Sequence, residues 1–293
     1  MKVALTGATG FIGSHVLTDL YKHGHEVMAL VRNDDQADVV ASRGATPTVV
    51  DLYDRPTVGR IFGDADAAIH TASPGDASSA NLDSAVVDAA IDAYAGTGKA
   101  YIEISGLWVY GANTSITEES PFQAPVLVAW KEPIERRVLG AQDMRGVVVV
   151  SGVAYGDGGG GIPGLLLGSP RDAQGNLIML GTGQQHWPTV HAADLAAFFR
   201  HVLEHDAARG YYVIGDGLNP TVAELTKAAA VAAGAPGAVP GSDEEARKRL
   251  GDYFAEVLLL DQGTIAAKAR TELDWSPSHP GLVDELRDGS YRN

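Results

Sequence analysis

The chain has 293 residues, enough for one large domain or a domain with a smaller lobe. Its 37 acidic residues against 22 basic ones leave a net charge of −15, which argues against a nucleic-acid duplex or an anionic membrane surface as partner, because both reward clustered Lys and Arg. Cysteine is absent, which excludes disulfides and thiolate metal sites; with no charged-then-apolar leader and no apolar span of about 18 residues, the expectation is a soluble, cytoplasmic protein.

The chain begins with a short apolar run, Val3-Ala4-Leu5, that ends in Thr6-Gly7-Ala8-Thr9-Gly10-Phe11-Ile12-Gly13 and passes into an apolar-periodic segment reaching Leu20. Strand, tight turn and helix in that order suit the pyrophosphate of a dinucleotide. Gly7 makes the turn, Gly10 leaves room for the phosphates, Gly13 lets helix and strand pack closely, and the helix N-terminus meets the negative charge. The expected cofactor residues of this turn are Gly7, Thr9, Gly10, Phe11, Ile12 and Gly13.

The second strand, His25 to Val31, runs into Arg32 and Asn33 where an Asp or Glu would hold the ribose hydroxyl of NAD. A carboxylate there would repel a 2'-phosphate, whereas a guanidinium grips one through two parallel bonds. Arg32 therefore points to NADP, and Asp34-Asp35 just beyond keeps NAD open. A helix from Asn33 to Ser42 leads to a third strand, Pro47 to Val50, ending at Asp51-Leu52, from which a carboxylate can accept from the adenine amino group. A short helix, Arg55 to Phe62, precedes a fourth strand, Ala67 to His70, whose small followers Thr71, Ala72 and Ser73 let the backbone pass close to the cofactor.

A helix over Leu82 to Tyr94, a strand over Ala100 to Ser105, a helix over Val128 to Leu139 and a strand over Val147 to Val150 continue the alternation. Pro133 means that the Val128 to Leu139 helix either starts late or is kinked. Such alternation predicts an α/β fold, a Rossmann-type doubly wound parallel sheet covered on both faces. After Asp157 the texture changes. Gly158 to Gly161 reads as a hinge for a lid, and Leu165 to Gly168 as a short apolar turn. Strand patterns at Leu177 to Leu180 and Tyr211 to Ile214 flank a helix entered through Thr189 to Leu195. Helices follow from Pro220-Thr221, over Asp243 to Leu258, over Thr264 to Leu273 and over Leu282 to Leu286. The expected organisation is a dinucleotide-binding core over 1–156, completed by parts of 177–214, with 157–176 and 215–293 as a small, mostly helical substrate lobe.

Thr6 to Gly13, Asp51-Leu52, Val109-Tyr110-Gly111, Tyr155-Gly156, Val190 to Leu195 and Leu273-Asp274-Trp275-Ser276-Pro277 together resemble the extended short-chain dehydrogenase/reductase superfamily of epimerases, dehydratases and flavonoid-type reductases, over essentially the whole length. That resemblance implies a proton-transfer set of Ser or Thr, Tyr and Lys, the Lys also holding the nicotinamide ribose. The Lys position is Lys131. The Tyr position, four residues earlier, is Leu127, and the Ser/Thr position is Gly106, with Ser105 one residue away. The cofactor half of the pattern is present and the proton-transfer half is not. A homodimer through sheet-edge helices is common in that superfamily.

A substitute proton donor is sought among Tyr155, Tyr110 and His186, with Trp130 a further polar group of the region, and Lys131 completes the candidate catalytic set. His191 is read as a cap or packing residue. Trp108, Trp130 and Trp187 suggest an apolar pocket for a ring or an acyl chain, or else core packing. The leading reading is NADP-dependent reduction of a carbonyl on a small apolar or aromatic molecule. A sugar-nucleotide epimerase or dehydratase, an NADP-binding sensor without turnover, and a non-redox lyase, isomerase or hydrolase remain open. No metal is expected, since the sequence has no HExxH and no tight His/Asp cluster, and His15, His23, His25 and His70 lie on separate elements.

Overall fold

Strands and helices alternate from the first residues in the computed structural model, which describes residues 1–292. β1 (Lys2–Thr6), α1 (Phe11–Lys22), β2 (Glu26–Val31), α2 (Asp34–Ala41), β3 (Thr46–Val49), α3 (Arg55–Gly63), β4 (Ala67–His70) and α4 (Ser79–Tyr94) come first. β5 (Ala100–Gly106), α5 (Lys131–Gly140) and β6 (Arg145–Ser151) follow. Next are β7 (Val153–Tyr155), α6 (Gly161–Leu167), β8 (Leu177–Ile178), β9 (Thr189–His191), α7 (Ala192–Glu204) and β10 (Gly210–Ile214). The last elements are α8 (Val222–Ala232), β11 (Ala238–Val239), α9 (Asp243–Leu250), α10 (Asp252–Leu258), α11 (Ala267–Glu272) and α12 (Leu282–Asp288).

Seven strands form one sheet in the order β10-β6-β5-β4-β1-β2-β3, the Rossmann-type arrangement expected from the sequence. β1 pairs in parallel with β2 on one side and β4 on the other; β2–β3 and β4–β5 are parallel as well. Val3 to Thr6, Ala67 to His70 and Arg145 to Ser151 are buried without alternation, as strands covered on both faces must be. Strand order reverses between β1 and β4, and ligands of open α/β sheets bind in the crevice outside such a switch point.

The chain divides into two compact units. The first holds Met1–Ser105, Trp130–Val150 and Leu195–Tyr212; the second holds Gly106–Ala129, Ser151–Asp194 and the residues from Val213 onward. The second unit thus takes in more than the expected 157–176 and 215–293, because 106–129 pairs with its later segments. Asn113 exchanges backbone hydrogen bonds with Asp261 and Gly263, and buried Gln262 donates to the carbonyls of Leu107 and Gly111. Its core gathers Tyr155, Leu166, Trp187, Leu225, Leu258 and Leu286. No helix among the described residues is long and apolar enough to cross a membrane.

Local differences from the sequence expectation have local causes. The single helix expected over Asp243 to Leu258 is two, since Gly251 takes φ 80° between α9 and α10. α9 is launched by a reciprocal capping box between Ser242 and Glu245. The glycine run expected as a hinge instead delivers Gly160, at φ 95°, to the start of α6, which absorbs the expected turn at Leu165. α5 begins at Lys131, so Pro133 falls in the first turn, where a missing N–H costs no intrahelical bond.

Candidate functional site

The loops after β1, β2, β3 and β4 enclose a cavity of about 450 Å³ in the first unit. It is lined by Gly7, Thr9, Gly10, Arg32, Asp51, Leu52, Thr71, Ala72 and Ser73 among the expected cofactor residues, and by Leu30, Gln36 and Tyr53, which were not foreseen. Phe11, Ile12, Gly13 and Lys131 do not line it. The cavity is built by close approach. Gly7 has φ 75°, and a Cβ there would lie 2.6 Å from the backbone of Thr71 and Ala72. A Cβ on Gly13 would lie 2.1 Å from the Gly7 carbonyl oxygen, so Gly13 serves the helix–strand contact rather than the ligand. Thr71 Oγ1 donates to the Thr6 carbonyl at 2.8 Å and fixes the far wall.

The N-cap of α1 is Gly10, whose lack of a side chain leaves the first turn without a side-chain cap. Its unpaired N–H groups and the helix dipole suit an anion, and the cradle that a Cβ would fill fits a pyrophosphate. Arg32 is exposed at the cavity edge, with its backbone N–H given to Gln36 Oε1 at 3.0 Å and no ion pair to its guanidinium among the described residues. Asp51 turns one carboxylate oxygen to the N–H of Tyr53 at 3.0 Å, which holds the loop after β3 in place.

The first unit also holds a buried charged cluster. Lys131 Nζ donates to Asp83 Oδ2 at 2.7 Å and to the Ile104 carbonyl at 3.0 Å, and stands 3.7 Å from Glu103 Oε1. Its ammonium also sits 4.8 Å from the Trp130 ring centroid. Asp83 Oδ1 is 3.3 Å from His70 Nε2, His70 Nδ1 is 2.6 Å from Thr6 Oγ1, and Tyr101 donates to Glu103 Oε2 at 2.6 Å. Burial pushes the Glu103 carboxyl up to about 7. Burial alone would lower His70, but Glu103 and Asp83 outweigh it and raise its imidazole. Asp83 goes the other way: burial opposes its charge, yet His70 and Lys131 hold it below the usual carboxylate range. Glu135, facing Ser105 and Tyr211, is raised by burial. This cluster corrects the expectation that no tight His/Asp group exists. β4 and β5 set His70 opposite Glu103 in register, and α4 brings Asp83 to them.

The proposed proton donors lie in the second unit. Tyr155 is fully buried and donates its hydroxyl to the Pro280 carbonyl at 2.7 Å, and burial beside Asp216 raises its phenol strongly. Tyr110 is buried and stacked on Phe122 at 5.2 Å. His186 is half-exposed, and its Nδ1 lies 2.8 Å from Asp261 Oδ1, which also accepts the His186 backbone N–H. Burial opposes ionisation of Asp261, but these bonds from His186 bring its carboxyl below the usual range. Trp187 is a core residue that donates its indole N–H to the Leu258 carbonyl at 3.1 Å. Trp108 is half-buried, edge-on to Phe254 at 6.2 Å. His191 ends β9, accepts the Ala193 N–H at 3.2 Å and stacks on His279, as a capping and packing residue does.

A family model described as the NAD dependent epimerase/dehydratase family matches residues 3–215. The chain belongs to that family. The chain is 28% identical to Uncharacterized protein C2A9.02 of Schizosaccharomyces pombe, covering 99% of this chain and 100% of the relative. It is 26% identical to mouse epimerase family protein SDR39U1, over 98% of this chain and 99% of the relative. Among solved structures, human SDR39U1 (isoform2) with NADPH superposes with a TM-score of 0.77 at 23% identity, covering 99% of both chains. UDP-glucose 4-epimerase of Thermotoga maritima with UDP-glucose gives a TM-score of 0.77 at 20% identity, covering 99% of this chain and 97% of that one. The protein is accordingly an atypical member of the short-chain dehydrogenase/reductase superfamily with a nicotinamide-dinucleotide fold. In this chain Gly106 is extended, at φ −129° and ψ 150°, with open space where its Cβ would be, and Leu127 is exposed ahead of α5.

Proposed function

We propose that the protein is an NADP-dependent oxidoreductase that reduces a carbonyl group on a small apolar or aromatic molecule. The observation that carries the reading is Arg32, a guanidinium with no ion-pair partner among the described residues, at the edge of the nucleotide cavity where an NAD-specific site would have a carboxylate. The NADPH in the human SDR39U1 structure supports the same choice of cofactor.

The uncapped first turn of α1 and the glycine cradle would hold the pyrophosphate, Arg32 would pair with the 2'-phosphate, and Asp51 and Leu52 would face the adenine. Bound NADPH supplies the reducing equivalent for the carbonyl carbon. The carbonyl oxygen then needs a proton from the chain. With Gly106 and Leu127 at the usual donor positions and the Tyr155 proton committed to Pro280, His186 is the proposed general acid. Asp261 accepts from Nδ1–H and orients the ring, so the imidazolium form would give its Nε2 proton to the carbonyl oxygen and be left as the neutral Nδ1–H tautomer. Lys131 is the counter-ion of Asp83 in this reading and steadies the sheet beneath the phosphates. A cytoplasmic setting and a homodimer belong to the same proposal.

Titration of purified protein with NADPH and NADH, followed by nicotinamide fluorescence, is the test, with aldehydes and ketones then added to the bound complex. Preferential NADPH binding and its oxidation by a carbonyl compound support the reading. NADPH binding with no turnover over a broad panel favours a sensor or non-redox role, and binding of neither nucleotide overturns the cofactor assignment.

A further inference from the structure

We propose that His70, Asp83 and Glu103 form an inner site for one first-row divalent cation, Zn²⁺ or Mn²⁺, held wholly within the first unit. A ligand atom from each lies within 4.8 Å of those from the other two, and the three side chains are 1%, 2% and 0% exposed. Each residue divides its polar atoms in the same way. One atom is anchored outward: His70 Nδ1 to Thr6 Oγ1, Asp83 Oδ2 to Lys131, and Glu103 Oε2 to Tyr101. The other is left without such an anchor: His70 Nε2 stands 3.3 Å from Asp83 Oδ1, and Glu103 Oε1 stands 3.7 Å from Lys131 Nζ. Metal sites are built this way, with the outer atom of each ligand held by a neighbouring group that fixes its orientation.

Glu103 Oε1 carries the argument further. It is fully buried and accepts no hydrogen bond, with Lys131 Nζ no nearer than 3.7 Å. A buried carboxylate oxygen is costly without a partner, and a cation at the centre provides one. With His70 neutral, as a metal ligand must be, the two carboxylates of Asp83 and Glu103 outnumber the Lys131 ammonium by one, which leaves a charge for a cation to offset. One imidazole and two carboxylates form a donor set for zinc or manganese, not for an oxygen-only ion such as calcium. Thr6 precedes Gly7 directly, so the ion would brace β4, β5 and α4 under the phosphate-binding turn. With a neutral imidazole the site requires the tautomer that donates from Nδ1 to Thr6.

The test uses the full chain purified with Zn²⁺ or Mn²⁺ and freed of excess ion by gel filtration. Elemental analysis should find about one ion per chain, and Glu103→Gln and Asp83→Asn should each lower retention about tenfold or more. Manganese-loaded protein should give an electron paramagnetic spectrum of an immobilised, nitrogen-coordinated ion, a reading that needs no variant to fold. No retained ion, retention undiminished in a folded Glu103→Gln variant, or a spectrum of the free hydrated ion would each overturn the proposal.

Discussion

The Gly7 carbonyl oxygen occupies the space that a side chain on Gly13 would need, 2.1 Å from the position of its Cβ. No rotamer relieves that overlap, because both partners are backbone. Gly13→Ala should therefore push α1 off β1, lowering stability by about 1–3 kcal/mol and abolishing nucleotide binding together. Thermal unfolding and NADPH titration would read the two effects. Gly10→Ala meets Gly7 at 3.2 Å, so it should leave the fold nearly intact while weakening nucleotide binding.

Arg32 separates the two nicotinamide cofactors in our reading. Removing it by Arg32→Ala should cost about 1.5–3 kcal/mol of NADPH affinity, roughly tenfold to a hundredfold, because hydrogen bonds to a charged group are lost. NADH affinity should barely change. Parallel fluorescence titrations would check this, and an equal loss for both nucleotides would remove Arg32 as the discriminator.

His186 and Tyr155 make opposite predictions as proton donors. His186→Gln should lower turnover about a hundredfold or more without changing NADPH affinity, the usual scale for losing a general acid. Tyr155→Phe should keep turnover and lose about 1 kcal/mol of stability with the bond to Pro280. Steady-state kinetics paired with denaturant unfolding distinguishes them.

Asp194 gives the second unit a definite acid sensitivity. It accepts from Ser278 N, Ser278 Oγ, His279 N and His279 Nδ1, at 2.8 to 3.1 Å. Burial opposes its charge, but these bonds prevail and hold its carboxyl below the usual range. A lowered carboxyl stabilises the fold above the pKa of the unfolded chain, and that stability is lost as pH falls through the lower folded value. Asp194→Asn should then be less stable than wild type by about 1–3 kcal/mol at neutral pH, with the gap closing below about pH 4. Unfolding curves at stepped pH would show it; a gap independent of pH would refute the electrostatic account.

Gly106 has room for a side chain at an ordinary backbone conformation. Gly106→Ser should fold with stability within about 0.5 kcal/mol of wild type, as substitutions away from packed features do. Combined with Leu127→Tyr it restores the superfamily's usual residue types at both positions. A gain in turnover with NADPH would show that Lys131 and the cofactor are still arranged for that chemistry.

Much of this protein was legible in the chain alone. Gly7, Gly10 and Gly13 were readable because each answers a backbone demand fixed by its own turn, and the place of Arg32 on the cavity edge because it follows directly on the end of β2. The parallel sheet followed from apolar runs at crossover spacing, a local period repeated along the chain. What tertiary structure decided was which distant side chains converge. Lys131 and Asp83 are 48 residues apart, and His70 and Asp83 are 13 apart on different elements, so no spacing announces their contact. Likewise Tyr155 looked available for proton transfer until the chain brought the Pro280 carbonyl, 125 residues away, onto its hydroxyl. Periodicity and turn chemistry act through neighbours in sequence, whereas burial and charge pairing act through neighbours in space, and only folding makes those neighbours.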